Sequence, residues 1–428
     1  MFGLTGDLGR SKLFPALYEL AAAGRLGMPV IGVGRSEYSD DEIRSMFDEA
    51  LADLDGVDDD VVASIDLSYL SGDSTAVDTY DRLADRLDGC RRPLVYAALP
   101  PHLFGEVASC LDRSRLPDAT RLVVEKPFGE DADSARELYE AITSAVGADR
   151  LFIVDHFLAK AAIENMSVAR HANALMENSL DRAHVERIDI EMSEAGGVDG
   201  RGSFYEGVGA VADVVQNHLM QTLTLVTMEA PDDDSDEAFG AAGVALLRAV
   251  RTVDPDDVVL GQYDGYPDLD DVADDSTVET FAAVTLEIDN DRWRGVPVHI
   301  RTGKRLADTS TAVTFTLRPT SAGLHHATNR IRFTIKPDAS VAFDVGILEP
   351  TTHGIESRTV YACGPEDHGP LGDYATMFDT ALDGEHRHFA DIDGVVEAWR
   401  ILAPIVESER SADDLVVYDP GADITTVG

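Results

Sequence analysis

The chain has 428 residues, 79 of them Asp or Glu and 35 Lys or Arg, for a formal charge of −44, which excludes a nucleic-acid binder because that function needs a basic face. The acidic residues run along the whole length rather than forming a tail, the pattern of an acidic surface of the halophile kind, and they predict a protein that needs molar salt. At 44 % hydrophobic and 7 % aromatic the chain can bury a sizeable core in two or three domains; no apolar run approaches the roughly 18 residues of a membrane span and no signal-peptide order opens it, so a cytoplasmic protein without a membrane partner is expected.

From Met1 to residue 152, short apolar runs at Val30–Val33, Leu94–Leu99, Leu122–Val124 and Leu151–Val154 alternate with helix-like stretches at Leu13–Ala23, Asp41–Leu54, Thr75–Leu87 and Asp131–Val146. The alternation predicts a Rossmann-like α/β domain over 1–152, built on a doubly wound parallel sheet. A first strand needs about five residues, yet only Met1 and Phe2 precede Gly3, so the pattern also predicts residues upstream of Met1. Past residue 152 the texture becomes period-two, as in Ile188, Ile190 and Met192 between Arg187, Asp189 and Glu191. Further strands are expected at Phe281–Ile288, Val298–Arg301, Val313–Arg318, Ile331–Lys336, Val341–Ile347 and Thr359–Ala362, with helices at Gly209–Met228, Glu237–Val250, Tyr374–Leu382 and Gly394–Ser408. Together they read as an α+β domain over 153–428 with one large, mainly antiparallel sheet covered by helices. Asp232–Asp236 and Pro267–Asp275 read as solvated loops. Cys90, Cys110 and Cys363 have no disulfide or metal spacing, so small core residues and no metal site are expected.

Only Lys12, Lys126, Lys160, Lys304 and Lys336 are lysine; the other 30 basic residues are arginine. Where composition has removed nearly every lysine, a remaining one marks a place that needs a compact, mobile ammonium. Gly3-Leu4-Thr5-Gly6-Asp7-Leu8-Gly9 precedes a helix, where bare backbone can approach a phosphate. Arg35 follows the second strand, where an arginine accommodates a 2′-phosphate and favours NADP, although a single arginine leaves NAD use open. Tyr96-Ala97-Ala98-Leu99-Pro100-Pro101 and Glu125-Lys126-Pro127-Phe128-Gly129 end further strands, at the sheet edge where open α/β sheets bind ligands, and Pro127 restricts Lys126 to an extended conformation. Asp155, His156 and Lys160 gather a carboxylate, an imidazole and an ammonium within six residues, as an anion site beside an acid-base group would. Asp213 and His218 lie about 140° apart at ~100° per residue, so they are expected to flank a site. Gln216, Asn217 and His218 in an apolar helix each need a buried partner.

The ordered motifs GLTGDLGRSKLFPALYEL, YAALPP, EKPFG, DHFLAK, DVVQNHLMQTL and GVPVHIRTGKRL resemble those of glucose-6-phosphate dehydrogenases over nearly the whole chain. The resemblance implies oxidation of glucose 6-phosphate at C1 to 6-phosphoglucono-δ-lactone, with NADP as cofactor. It implies His218 as general base, Asp155 as the carboxylate orienting it, and Lys126 and Lys12 bridging cofactor and substrate. His156 and Lys160 match phosphate contacts, Lys304 a further cation, and Glu194 and Asp213 acceptors for sugar hydroxyls. Gly3, Thr5, Gly6, Asp7, Leu8, Arg35, Ala98, Pro100, Lys126 and Pro127 fall at cofactor positions, and a homodimer or dimer of dimers is implied. Phe157, Ala159, Ala212 and Thr309 depart from the family pattern, which bears on the phosphate site. Two other readings are a dehydrogenase of an unphosphorylated aldose and a catalytically silent NADP-sensing protein.

Overall fold

The computed structural model describes all residues but 53, 199, 320–328, 352–353, 364–370 and 428. Two compact units emerge, one of Met1–Lys160 with Gly369–Ile392, the other of Ala161–His368 with Asp393–Gly428. The expected boundary after residue 152 thus lies within the first unit, which also takes the Asp373–Asp383 helix expected in the second domain. Packing explains the return: Ala375, Met377, Phe378 and Ala381 bury their side chains in the first unit's core, and Phe378 meets Tyr96 edge-on at 5.1 Å.

The first unit carries β1 (Val30–Gly34), β2 (Leu67–Ser71), β3 (Leu94–Ala97), β4 (Arg121–Val124) and β5 (Leu151–Ile153), all paired in parallel. β2 escaped the sequence reading because Ser68 and Ser71 break up its apolar residues Leu67, Tyr69 and Leu70; the Phe104–Arg113 helix escaped it too. The place of a first strand falls to Phe2, which bridges Val33 of β1 and Ala97 of β3. Its N–H donates to Tyr96 O at 2.8 Å and its carbonyl accepts from Ala98 at 3.2 Å. The Met1 nitrogen donates to Ile31 O at 2.7 Å. A cavity of about 760 Å³ lies beside Met1 at the amino ends of β1 and β3, lined by Leu17, Leu20, Ile31 and Val95 among others. That is the sheet edge opposite the one that binds ligands in such folds.

The second unit is built on nine strands: β6 (Val185–Ser193), β7 (Val258–Tyr263), β8 (Phe281–Glu287), β9 (Pro297–Gly303), β10 (Ser310–Leu317), β11 (Arg330–Lys336), β12 (Ser340–Leu348), β13 (Ile355–Cys363) and β14 (Val416–Tyr418). Their order is β13-β12-β11-β10-β6-β9-β8-β7-β14. The pairs β6–β9 and β7–β14 are parallel and the others antiparallel. β7 and β14 were not legible in sequence, since β7 is interrupted by Gly261 and Gln262 and β14 spans three residues. The long helix expected at Gly209–Met228 is a π-helical stretch, Val211–Leu219, running into an α-helix, Met220–Thr227.

Among the described residues the buried charged side chains are Glu125, Asp155, Arg170, Glu279 and Lys304, so nearly all the acidic excess faces solvent. Cys110 is buried as expected but Cys90 is exposed, because it falls in the loop after the Val77–Arg86 helix. No helix among the described residues is long and apolar enough to cross a membrane.

Candidate functional site

In the first unit the Gly3–Gly9 turn admits nothing but glycine at two points. Gly3 has φ +74° and its Cβ would lie 2.2 Å from Ala98 O, while a Cβ on Gly9 would lie 1.8 Å from Leu4 O. Gly6 and Asp7 are exposed and Thr5 and Leu8 half-buried at the start of the helix. This exposed turn, folded tightly enough that a Cβ finds no room, fits a dinucleotide phosphate. Ala98 and exposed Pro100 follow β3, exposed Arg35 follows β1, and half-buried Lys126 and Pro127 follow β4 across a cis peptide bond. All lie beyond the carboxyl ends of parallel strands. Lys12 sits in a π-helical turn, Gly9–Leu13, and is exposed.

Asp155 follows β5, is only 2 % exposed, and accepts the Phe157 N–H at 3.0 Å. Next to it, the half-buried His156 ring stacks on Tyr374 at 5.5 Å with a 16° interplanar angle. The Lys160 ammonium donates to Asp373 Oδ2 and lies 5.2 Å from the Phe157 ring centroid. Burial raises the Asp373 pKa, but Lys160 and then His156 outweigh it and hold the carboxyl below its ordinary value. Glu125 accepts from the Tyr96 hydroxyl, and burial pushes its own pKa up.

The second unit assembles a further cluster by strand direction. Because β6 and β9 are parallel and finish in register at Ser193 and Gly303, the next residue of each, Glu194 and Lys304, leaves the sheet at the same edge. The Lys304 ammonium donates to Glu194 Oε2 at 2.6 Å and lies 3.3 Å from Asp213 Oδ2. Burial lowers the Lys304 pKa, and Asp213 and Glu194 together raise it above the ordinary lysine value. The Tyr205 ring centroid lies 5.7 Å from this ammonium.

The angular expectation for Asp213 and His218 is corrected. In a π-helix the bonds run i to i+5, so residues five apart fall roughly one turn above each other rather than about 140° apart. His218 is 4 % exposed, and its N–H is capped by Asn217 Oδ1 at 2.7 Å. The expected need for buried partners is met within the unit for two neighbours: Asn217 Nδ2 donates to Ala212 O at 2.9 Å and Gln216 Nε2 to Val395 O at 3.4 Å.

Residues 1–165 match the family described as "Glucose-6-phosphate dehydrogenase, NAD binding domain" and residues 167–424 its "C-terminal domain". The chain belongs to the glucose-6-phosphate dehydrogenase family. It is 37 % identical to glucose-6-phosphate 1-dehydrogenase 1 of Mycobacterium tuberculosis, over 99 % of this chain and 91 % of that protein. It is similar to the crystal structure of glucose-6-phosphate 1-dehydrogenase from Mycobacterium avium, with a TM-score of 0.91 and 35 % identity over 98 % of this chain and 93 % of that one. A glucose-6-phosphate dehydrogenase solved in complex with its substrate glucose 6-phosphate superposes with a TM-score of 0.90 at 29 % identity, covering 99 % and 94 % of the two chains.

Against this family the departures acquire local roles. Phe157 lacks a hydroxyl and is buried, and its ring carries the Lys160 ammonium. Ala159 is buried, Ala212 supplies the carbonyl that holds Asn217, and Thr309 Oγ1 accepts the Ala195 N–H at 3.0 Å. Sequence reasoning assigned no role to Asp373, Tyr374, Tyr205 or Glu125. Asp373 stands 213 residues from Lys160 and carries no local signal; Glu125, an acid between two buried valines and Pro127, offered one.

Proposed function

We propose that this chain oxidises glucose 6-phosphate at C1 to 6-phosphoglucono-δ-lactone with NADP as acceptor, in the cytoplasm and in molar salt. The reading is carried by membership of the glucose-6-phosphate dehydrogenase family across both halves of the chain, with four of its five lysines on the motif positions.

His218 takes the proton of the C1 hydroxyl as general base. Asp155, held almost out of solvent, is the carboxylate that fixes its tautomer and compensates the imidazolium. His156 and Lys160 bind the 6-phosphate, and Glu194 and Asp213, both tied to Lys304, accept from sugar hydroxyls. Lys12 and Lys126 contribute mobile cations between sugar and cofactor. Gly3, Thr5, Gly6, Asp7, Leu8, Ala98, Pro100 and Pro127 hold the dinucleotide, and Arg35 the 2′-phosphate that favours NADP over NAD. The nicotinamide, when bound, supplies the carbon that accepts the hydride leaving C1. A homodimer is the expected assembly.

The test is reduction of NADP and of NAD by the purified protein in molar KCl, with glucose 6-phosphate and glucose offered in parallel. Turnover is expected with the phosphosugar and faster with NADP, and His218→Asn is expected to lower kcat by ~10²–10⁴-fold. Near-parental turnover in that variant would remove His218 as the base, and turnover of glucose alone would remove the phosphosugar as substrate.

A further inference from the structure

The Asp373–Asp383 helix rejoins the first unit far downstream in the chain, and its first two residues engage both side chains assigned to the phosphate. Asp373 accepts from the Lys160 ammonium, whose side chain is only 12 % exposed against 33 % for its partner. Tyr374 stacks on His156, and burial, with Glu125 adding to it, raises the pKa of its hydroxyl. One carboxylate therefore sits within electrostatic reach of both cationic candidates for the phosphate.

We infer that Asp373 is a specificity-determining residue: its carboxylate holds the Lys160 ammonium, competes with the sugar's phosphate for it, and so sets the ratio of phosphosugar to free-sugar use. The inference rests on the assignment of His156 and Lys160 to the phosphate. An ammonium has three donors and can serve two acceptors at once, so an arriving phosphate need not expel Asp373. Two anions then share one cation and repel at short range. A neutral sugar brings no such repulsion. Molar salt screens charges beyond about 3 Å in solvent but acts less on a partly buried pair, so the effect persists in molar KCl. Phe157 sharpens it, since the ring under the ammonium offers the phosphate no hydroxyl in compensation.

The experiment compares the parent with Asp373→Asn, Asp373→Ser and Lys160→Ala in molar KCl, reading KM and kcat for glucose 6-phosphate and for glucose, and inhibition by inorganic phosphate. Asp373→Asn keeps an acceptor for the ammonium and removes the charge. It is expected to lower KM for glucose 6-phosphate by roughly three- to tenfold, to tighten inhibition by phosphate in parallel, and to shift kcat less than KM and KM for glucose less than either. Asp373→Ser answers the same question should the amide variant fail to fold. A raised KM for the phosphosugar in both Asp373 variants would overturn the competition, leaving Asp373 as a simple tether. Equal shifts with both sugars would overturn it too, as a general structural defect. If Lys160→Ala alters neither the phosphosugar KM nor phosphate inhibition, the phosphate assignment fails and the inference with it, which separates the two failures.

Discussion

Lys304 shows how much one lysine can hold. The residue is 5 % exposed and its ammonium is the shared cation of Glu194 and Asp213. Its raised pKa means that its ion pairing contributes fully below the ordinary lysine value, about 10.4, and is lost only as pH rises through the folded-state value. Lys304→Met removes the cation and leaves two carboxylates facing each other. The variant is expected to lose about 3–5 kcal/mol of stability at pH 7, measured by denaturant unfolding in molar KCl. Lys304→Arg, which keeps a cation between the two carboxylates, is expected to lose much less. Equal losses in the two variants would show that lost packing rather than stranded charge is responsible.

At the scale of elements, two devices place the candidate side chains. One is the parallel pair β6–β9 in a mostly antiparallel sheet, which brings the residues after Ser193 and Gly303 to the same edge. The other is the pair of π-helical stretches, Gly9–Leu13 and Val211–Leu219, which carry Lys12 and the Asp213–His218 pair. Such turns are uncommon and concentrate at functional sites. The first depends on Gly9 packing directly on the Leu4 carbonyl. Gly9→Ala is expected to cost about 3 kcal/mol through a backbone clash that no rotamer relieves, read as a lower melting temperature. Gly27→Ala is the control, a loop glycine without positive φ whose Cβ would meet nothing within 4 Å. Equal effects at both positions would show that the Leu4 contact is not the cause.

For the whole molecule the governing quantity is −44, carried almost wholly on the surface. Self-repulsion of that size opposes the compact state, and it is screened as the Debye length falls from about 10 Å at 0.1 M to 3 Å at 1 M. The melting temperature is therefore expected to climb steeply between 0.1 and about 2 M KCl, more than with an osmotically matched neutral solute. A flat response would remove the proposed need for molar salt. The five lysines make the converse point: the few compact cations kept in an anionic chain fall on the positions proposed for substrate and cofactor, Lys336 excepted.

The sequence alone was sufficient for the fold class and the family, because these depend on hydrophobic periodicity and on short motifs whose chemistry is local. It misplaced or missed what depends on geometry that composition does not encode. The angle between Asp213 and His218 follows from a π-helical bonding pattern that shares its hydrophobic residues with an α-helix. β14 is too short to show a period. Phe2 acts as a strand by pairing with partners about thirty and ninety-five residues away. Tertiary structure alone decided that Asp373 and Tyr374 meet Lys160 and His156, since the Asp373–Asp383 helix is drawn to the first unit by apolar burial and delivers its charged first turn with it.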